Sequence, residues 1–305
     1  MNVKMKKISL MLISILIVNV FMSAQMSNRA WWNSLSPAWK KAFYKEQFKG
    51  KEINPSDEDL ERVVKTRRIN CSRNKEITSL KPLSQLVLLE RLKCSDCPNL
   101  EGLEGIENLQ NLQEINCSNN DNISSLKPLE NLTSLKKLNC GNTMVKNLRP
   151  LYNLTALEDL DIHFATINEL IFLKNLRNLV KLDVSDNTSL YSIQGVEYLN
   201  NLVEFNCSKT DIEDLTPMAK LQSIKILDVS NTEIRTLRPL QTVKTLTEID
   251  CSNTAIKTLK YLYSNPNLKM ISIRNTEIPK ESIEIAKKAI LRISYDPDNV
   301  VFELE

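Results

Sequence analysis

The sequence predicts an α/β repeat solenoid: an arc of ten stacked turns whose short parallel strands line one concave sheet. Three observations predict it. The chain aligns with itself at a period of 22 or 23 residues, in units reaching the same point at Ile69, Leu92, Ile115, Leu138, Leu160, Leu182, Phe205, Leu227, Ile249 and Ile271. One unit reads Leu132, Leu135, Leu138, Cys140, Thr143, Val145, Leu148, Pro150 and Leu151. Apolar residues at that density are buried only when each turn stacks on the next. Finally, Cys71, Cys94, Cys117, Cys140, Cys207 and Cys251 fall in one column, the second inward position of the strand.

Taking the segments in order, Lys4, Lys6 and Lys7 precede an apolar run from Ile8 to Met22 and then Ser23-Ala24-Gln25. That is the pattern of a secretory signal peptide over residues 1–24, cleaved after Ala24. Its apolar run is shorter than the roughly 20 residues of a membrane-spanning helix. Without it, 40 basic and 37 acidic residues become 37 of each. A near-neutral chain has no nucleic-acid footprint, and no transmembrane segment is expected after cleavage. The protein is expected to be secreted, to the periplasm, the cell surface or the medium, and to be a monomer.

Residues 25–67 read as a helical N-terminal cap. Ser36 caps a helix with Pro37 at its first position, placing Trp39, Ala42 and Phe43 on one face. A second helix begins near Ser56 with Asp57, Glu58 and Asp59 in its first turn. The three tryptophans, Trp31, Trp32 and Trp39, cluster here and read as cap core or, more sharply, as a carbohydrate-binding patch. The solenoid spans 68–278. Residues 279–305 form the C-terminal cap, a helix from Pro279 with Ile283, Ala286 and Ile290 on one stripe, then a hairpin of strands 291–295 and 300–304 around Asp296-Pro297-Asp298-Asn299.

The repeat resembles the short leucine-rich repeats of bacterial internalin-like proteins over about Ile69 to Ile278. The resemblance implies a horseshoe-shaped leucine-rich-repeat solenoid and protein recognition through its concave face. Two columns depart from the common pattern: cysteine often replaces the second strand leucine, and threonine often replaces the asparagine after it. The latter column tracks length, since units with Asn74, Cys97, Asn120 or Asn187 have 23 residues and the 22-residue units have threonine or Ala165. A polar side chain there suits the backbone groups of the turn leaving the strand.

Six cysteines are explained as small buried hydrophobes. Disulfides are disfavoured because stacked turns lie about 4.8 Å apart with parallel side chains. Zinc has little support either, with one CxxC pair and one histidine, His163. No metal or other cofactor is expected.

The concave face is lined by Asp161, Asp183, Asp228 and Asp250 with Asn70, Asn116, Asn139 and Asn206, and flanked by a mainly serine column. In the early units the face leans basic; from Asp159 onward it leans acidic. The unit at Leu160 is irregular: His163 and Phe164 replace serine and a polar residue, and Phe172 replaces a turn proline. Phe164 reads either as an exposed binding anchor or as a side chain folded back into the core. Asp161, His163, Phe164 and Asp183, with Asp228 and Asp250, are therefore the candidate ligand-binding residues, for a protein partner or alternatively a glycan. Asp161 and Asp183 also have the adjacency of a glycosidase pair, yet they sit on an open sheet with no nucleophile elbow or phosphate loop, and no enzymatic activity is expected. The alternative is an envelope scaffold assembling by its convex face, where Tyr152, Tyr191, Tyr198, Tyr261 and Tyr263 lie.

Overall fold

Serine caps, prolines and aromatic spacing shape the first part of the chain. In the computed structural model, residues 26–296 and 299–304 are described, and the chain divides into two compact units after Val64. The proposed signal peptide lies outside the described residues.

The first unit holds three helices, α1 (Asn28–Ser34), α2 (Pro37–Gln47) and α3 (Asp57–Val64). The Ser27 hydroxyl accepts from the Ala30 N–H at 3.2 Å, and that of Ser36 from the Trp39 N–H at 3.3 Å. Ser56 and Asp59 form a reciprocal capping box, Asp59 N–H donating to Ser56 Oγ at 3.1 Å and Ser56 N–H to Asp59 Oδ2 at 2.9 Å. Those donors, the Ser56 backbone first, hold the Asp59 carboxyl below its ordinary range. Trp31, Trp32 and Trp39 are only 3–4% exposed, in edge-on and tilted contact with Phe43. They are core, so the carbohydrate-patch reading is withdrawn.

The second unit is a parallel sheet of eleven strands in strict chain order. Ten belong to the repeats: β1 (Arg68–Asn70), β2 (Arg91–Lys93), β3 (Glu114–Asn116), β4 (Lys137–Asn139), β5 (Asp159–Asp161), β6 (Lys181–Asp183), β7 (Glu204–Asn206), β8 (Ile226–Asp228), β9 (Glu248–Asp250) and β10 (Met270–Ser272). The register advances one turn per strand, as in Leu138↔Leu160↔Leu182↔Phe205. Central residues are buried and their neighbours face outward, because side chains alternate along a strand. Opposite the strands run short 3-10 turns, several opened by proline, such as Lys127–Leu129, Arg149–Leu151 and Arg238–Thr242.

The cysteine column is buried and all seven thiols are free. Four close on the next strand, as where Cys71 Sγ donates to the Lys93 carbonyl at 3.4 Å and Cys251 Sγ to that of Ser272 at 3.4 Å. Desolvation drives the Cys94, Cys117, Cys140, Cys207 and Cys251 thiols up from 9.0, Cys117 to about 12 and Cys94 and Cys140 well above their ordinary value. Native thiols should therefore resist alkylation. In the unfolded chain they ionise near 9, so the stability they contribute is complete below pH 9 and is lost as pH rises from there through 12. Each thiol is worth up to roughly 1.4 kcal/mol per pH unit above 9. Urea midpoints of the parent and of Cys117→Val/Cys140→Val should be close at pH 8 and diverge by pH 10.5, with the parent falling further.

The C-terminal end differs from the expected hairpin. Residues 291–293 continue α4 (Lys280–Ile293), because the stripe of Ala286 and Ile290 outweighs the short alternating run. Val301–Glu303 forms β11, parallel to β10 with Ile271↔Phe302 in register. It stands where an eleventh repeat strand would, and its Glu303 carbonyl accepts the Ile273 N–H at 2.9 Å.

A candidate recognition face on the concave sheet

The third residue of most strands is Asn or Asp, and its side chain first serves the backbone. Oδ1 of Asn116, Asn139, Asp161, Asp183, Asn206, Asp228 and Asp250 each accepts the N–H of the residue two further on, at 2.8–3.1 Å. This Asx turn ends these strands and places the serine column. Ser118, Ser185, Ser208, Ser230 and Ser252 are consequently buried. The expected lining of short polar groups thus reduces largely to the Asn/Asp row and the flanking charges.

Asp161 and Asp183 are Cα partners in the sheet, and each carboxylate holds further partners. Asp161 Oδ2 accepts from Asn139 Nδ2 at 2.8 Å, while His163 Nδ1 lies 2.6 Å from Oδ1. Asp183 Oδ1 accepts from the Ser185 hydroxyl at 2.6 Å, and Oδ2 from Asn206 Nδ2 at 3.2 Å. Asp228 is raised above its ordinary value by desolvation, with Asp250 and Asp183 adding repulsion. A shallow concavity of about 410 Å³ joins Asp161, Asp183 and Asp228 to Lys181, Glu204 and Ile226.

His163 has a partner in the preceding unit that the sequence did not advertise. A Cβ at Gly141 would stand 2.3 Å from the imidazole ring, so glycine replaces serine there to admit the histidine. Gly141→Ser should displace the ring from Asp161 and cost about 1–2 kcal/mol. Adding His163→Ser should recover most of that loss in a double-mutant cycle of urea unfolding.

Phe164 is 59% exposed, with φ 47°. Its whole column, from Arg73 (φ 61°) to Asn275 (φ 53°), is left-handed, which explains why seven of the ten residues there are Asn or Asp. Phenylalanine has no side-chain hydrogen bond to offset that strain. Phe164→Asn should therefore raise stability by about 1 kcal/mol, measured as the shift of the urea midpoint. The structure thus brings Asp161, His163 and Phe164 together at one strand end and Asp183 beside them. It sets Asp228 and Asp250 two and three strands further along the same row from Asp183.

Comparison with known proteins supports the fold. The family profile for the leucine-rich-repeat domain of the endo-beta-N-acetylglucosaminidase EndoS matches residues 91–187. An internalin (inlF) from Listeria monocytogenes is similar at a TM-score of 0.70 and 20% identity over 88% of each chain. The functional domain of InlJ from the same organism, described as including a cysteine ladder, has a TM-score of 0.59 at 18% identity over 78% of this chain and 53% of its own. The leucine-rich-repeat ectodomain of the plant receptor kinase GASSHO1/SCHENGEN3 from Arabidopsis thaliana, in complex with CASPARIAN STRIP INTEGRITY FACTOR 2, has a TM-score of 0.62 at 19% identity over 72% of this chain and 28% of its own. No curated protein sequence matches. The chain is an internalin-like leucine-rich-repeat solenoid in its fold.

Proposed function

We propose that this protein is an exported recognition module that binds a protein partner across the concave face of β5 to β9. The observation that carries this reading is the charge on that face. Strands β5 to β9 present seven carboxylates, Asp159, Asp161, Asp183, Glu204, Asp228, Glu248 and Asp250, against Lys181 alone. Lys181 is already paired with Glu204 at 2.7 Å. Strands β1 to β4 carry the opposite balance, with Arg68, Arg91, Lys93 and Lys137 against Glu114. A partner with a basic segment is steered to one end and held in one direction. Phe164, exposed at the edge of the acidic half, supplies the apolar anchor.

Similarity to a receptor ectodomain solved in complex with a ligand supports binding as the role, and similarity to an internalin supports presentation outside the cytoplasm. The signal pattern in residues 1–24 supports export, and among the described residues no helix is long and apolar enough to cross a membrane. The bonded state of Asp161 and Asp183 argues for recognition over hydrolysis, since their oxygens already hold protein donors.

Residues 26–304 immobilised on a biosensor should bind a lysine-rich or arginine-rich partner from an array of extracellular proteins. Affinity should fall with salt and weaken at least tenfold in His163→Ser/Phe164→Asn. Partners bound equally by parent and variant, at all salt concentrations, would remove the concave face from consideration and favour a scaffold working by the convex face.

A further inference from the structure

We propose that the convex face carries a second binding site, a groove over the third to fifth turns that takes an anionic carbohydrate. The groove is open along one side and has a volume of about 770 Å³, within the range of small-molecule sites. It runs across the 3-10 turns Lys127–Leu129, Arg149–Leu151 and Ile171–Leu173, half a turn of the solenoid away from the strands.

Lys127, Arg149 and Lys174 line the groove, and Glu130 is the one carboxylate among its lining residues. No carboxylate pairs with any of the three cations among the described residues. Some neighbouring lysines do find carboxylates, Lys136 with Glu158 at 3.2 Å, Lys137 with Asp159 at 3.6 Å and Lys181 with Glu204 at 2.7 Å. Three cations against one carboxylate leave the concavity net positive, which favours an anion.

The groove wall also carries rings and amides. Tyr152 and Phe172, both half-buried, supply ring surface. The Lys174 ammonium stands 5.8 Å from the Tyr152 ring centroid. Phe172 takes the place held by Pro128 and Pro150 in the two preceding turns. Asn131 and Asn153 bring amides that serve hydroxyl groups.

A peptide strand finds little backbone to pair with here, because the turns satisfy their own N–H groups. Leu129 donates to the Leu126 carbonyl, Leu151 to that of Leu148 and Leu173 to that of Leu170, at 2.8–2.9 Å. Recognition must then come from side chains: cations for carboxylate or sulfate, rings for the apolar face of a sugar, and amides for its hydroxyls. That combination fits an acidic saccharide.

The test is calorimetric titration of residues 26–304 with tetragalacturonate and with a heparin-derived tetrasaccharide. Neutral maltotetraose and a tyrosine-containing polyglutamate peptide run alongside. At least one anionic saccharide should bind, with maltotetraose at least tenfold weaker. Arg149→Gln/Lys174→Gln should weaken binding at least tenfold with an unchanged melting curve. The proposal is overturned if neither anionic saccharide binds, if maltotetraose binds equally, if the Arg149/Lys174 variant binds as the parent does, or if only the peptide binds. None of these outcomes depends on the concave face.

Discussion

Asn120→Ala is expected to destabilise the solenoid by roughly 3–5 kcal/mol, the largest effect of any single substitution considered. The Asn120 amide is fully buried and bridges adjacent turns. Its Nδ2 donates to the Cys117 carbonyl at 2.7 Å and to the Cys94 carbonyl at 2.9 Å, while Oδ1 accepts the Cys97 N–H at 2.8 Å. Alanine leaves those three backbone groups buried and unpaired, at about 1–3 kcal/mol each before relaxation. Asn187 repeats the arrangement with the carbonyls of Ile162 and Val184 and the Ala165 N–H. In the 22-residue units, threonine makes only the local bond, as where Thr143 Oγ1 donates to the Cys140 carbonyl at 2.7 Å. Thr143→Ala should therefore cost about 1–2 kcal/mol, markedly less. Urea unfolding of both variants checks the ordering.

The second large effect concerns binding. Asp183→Lys/Asp228→Lys is expected to lower affinity for a basic partner by 100-fold or more, about 2.7 kcal/mol, because two attractions become repulsions on one face. The fold should tolerate the change. Lys93 occupies the same column in β2, where the Ser95 N–H donates to Ser72 Oγ at 3.1 Å in place of the usual Asx bond. In the variant Ser208 stands ready to replace the Asp228 bond in the same way, while at Asp183→Lys the Ser185 N–H turns to solvent. A melting temperature within a few degrees of the parent, together with lost binding, separates a recognition effect from unfolding.

Much of this architecture was legible in the sequence because stacking makes every turn solve the same burial problem. The strand positions, the buried cysteine column and the link between corner residue and repeat length all follow from column alignment. What escaped notice had a competing or concealed cause. The left-handed backbone at Phe164 was announced by the Asn and Asp around it but blurred by Arg73 and Lys209, which adopt it as well. The structural duty of the Asp row was hidden because an acid facing outward looks the same in sequence whether it awaits a ligand or ends a strand. The glycine at 141 explains His163 only when the two are seen side by side. At the C-terminus, alternation in 291–295 competed with a helical stripe and lost, and the paired strand is parallel because β10 needed a successor.

Recognition by the acidic half of the concave face with Phe164 can be read from two variants compared against one array of extracellular proteins. His163→Ser/Phe164→Asn alters the concave edge; Tyr191→Ser/Tyr198→Ser alters exposed aromatics outside the strands. Every basic partner found should weaken at least tenfold in the first variant and stay unchanged in the second. Partners weakened only by the tyrosine substitutions would contradict this and move the recognition surface to the other side of the arc.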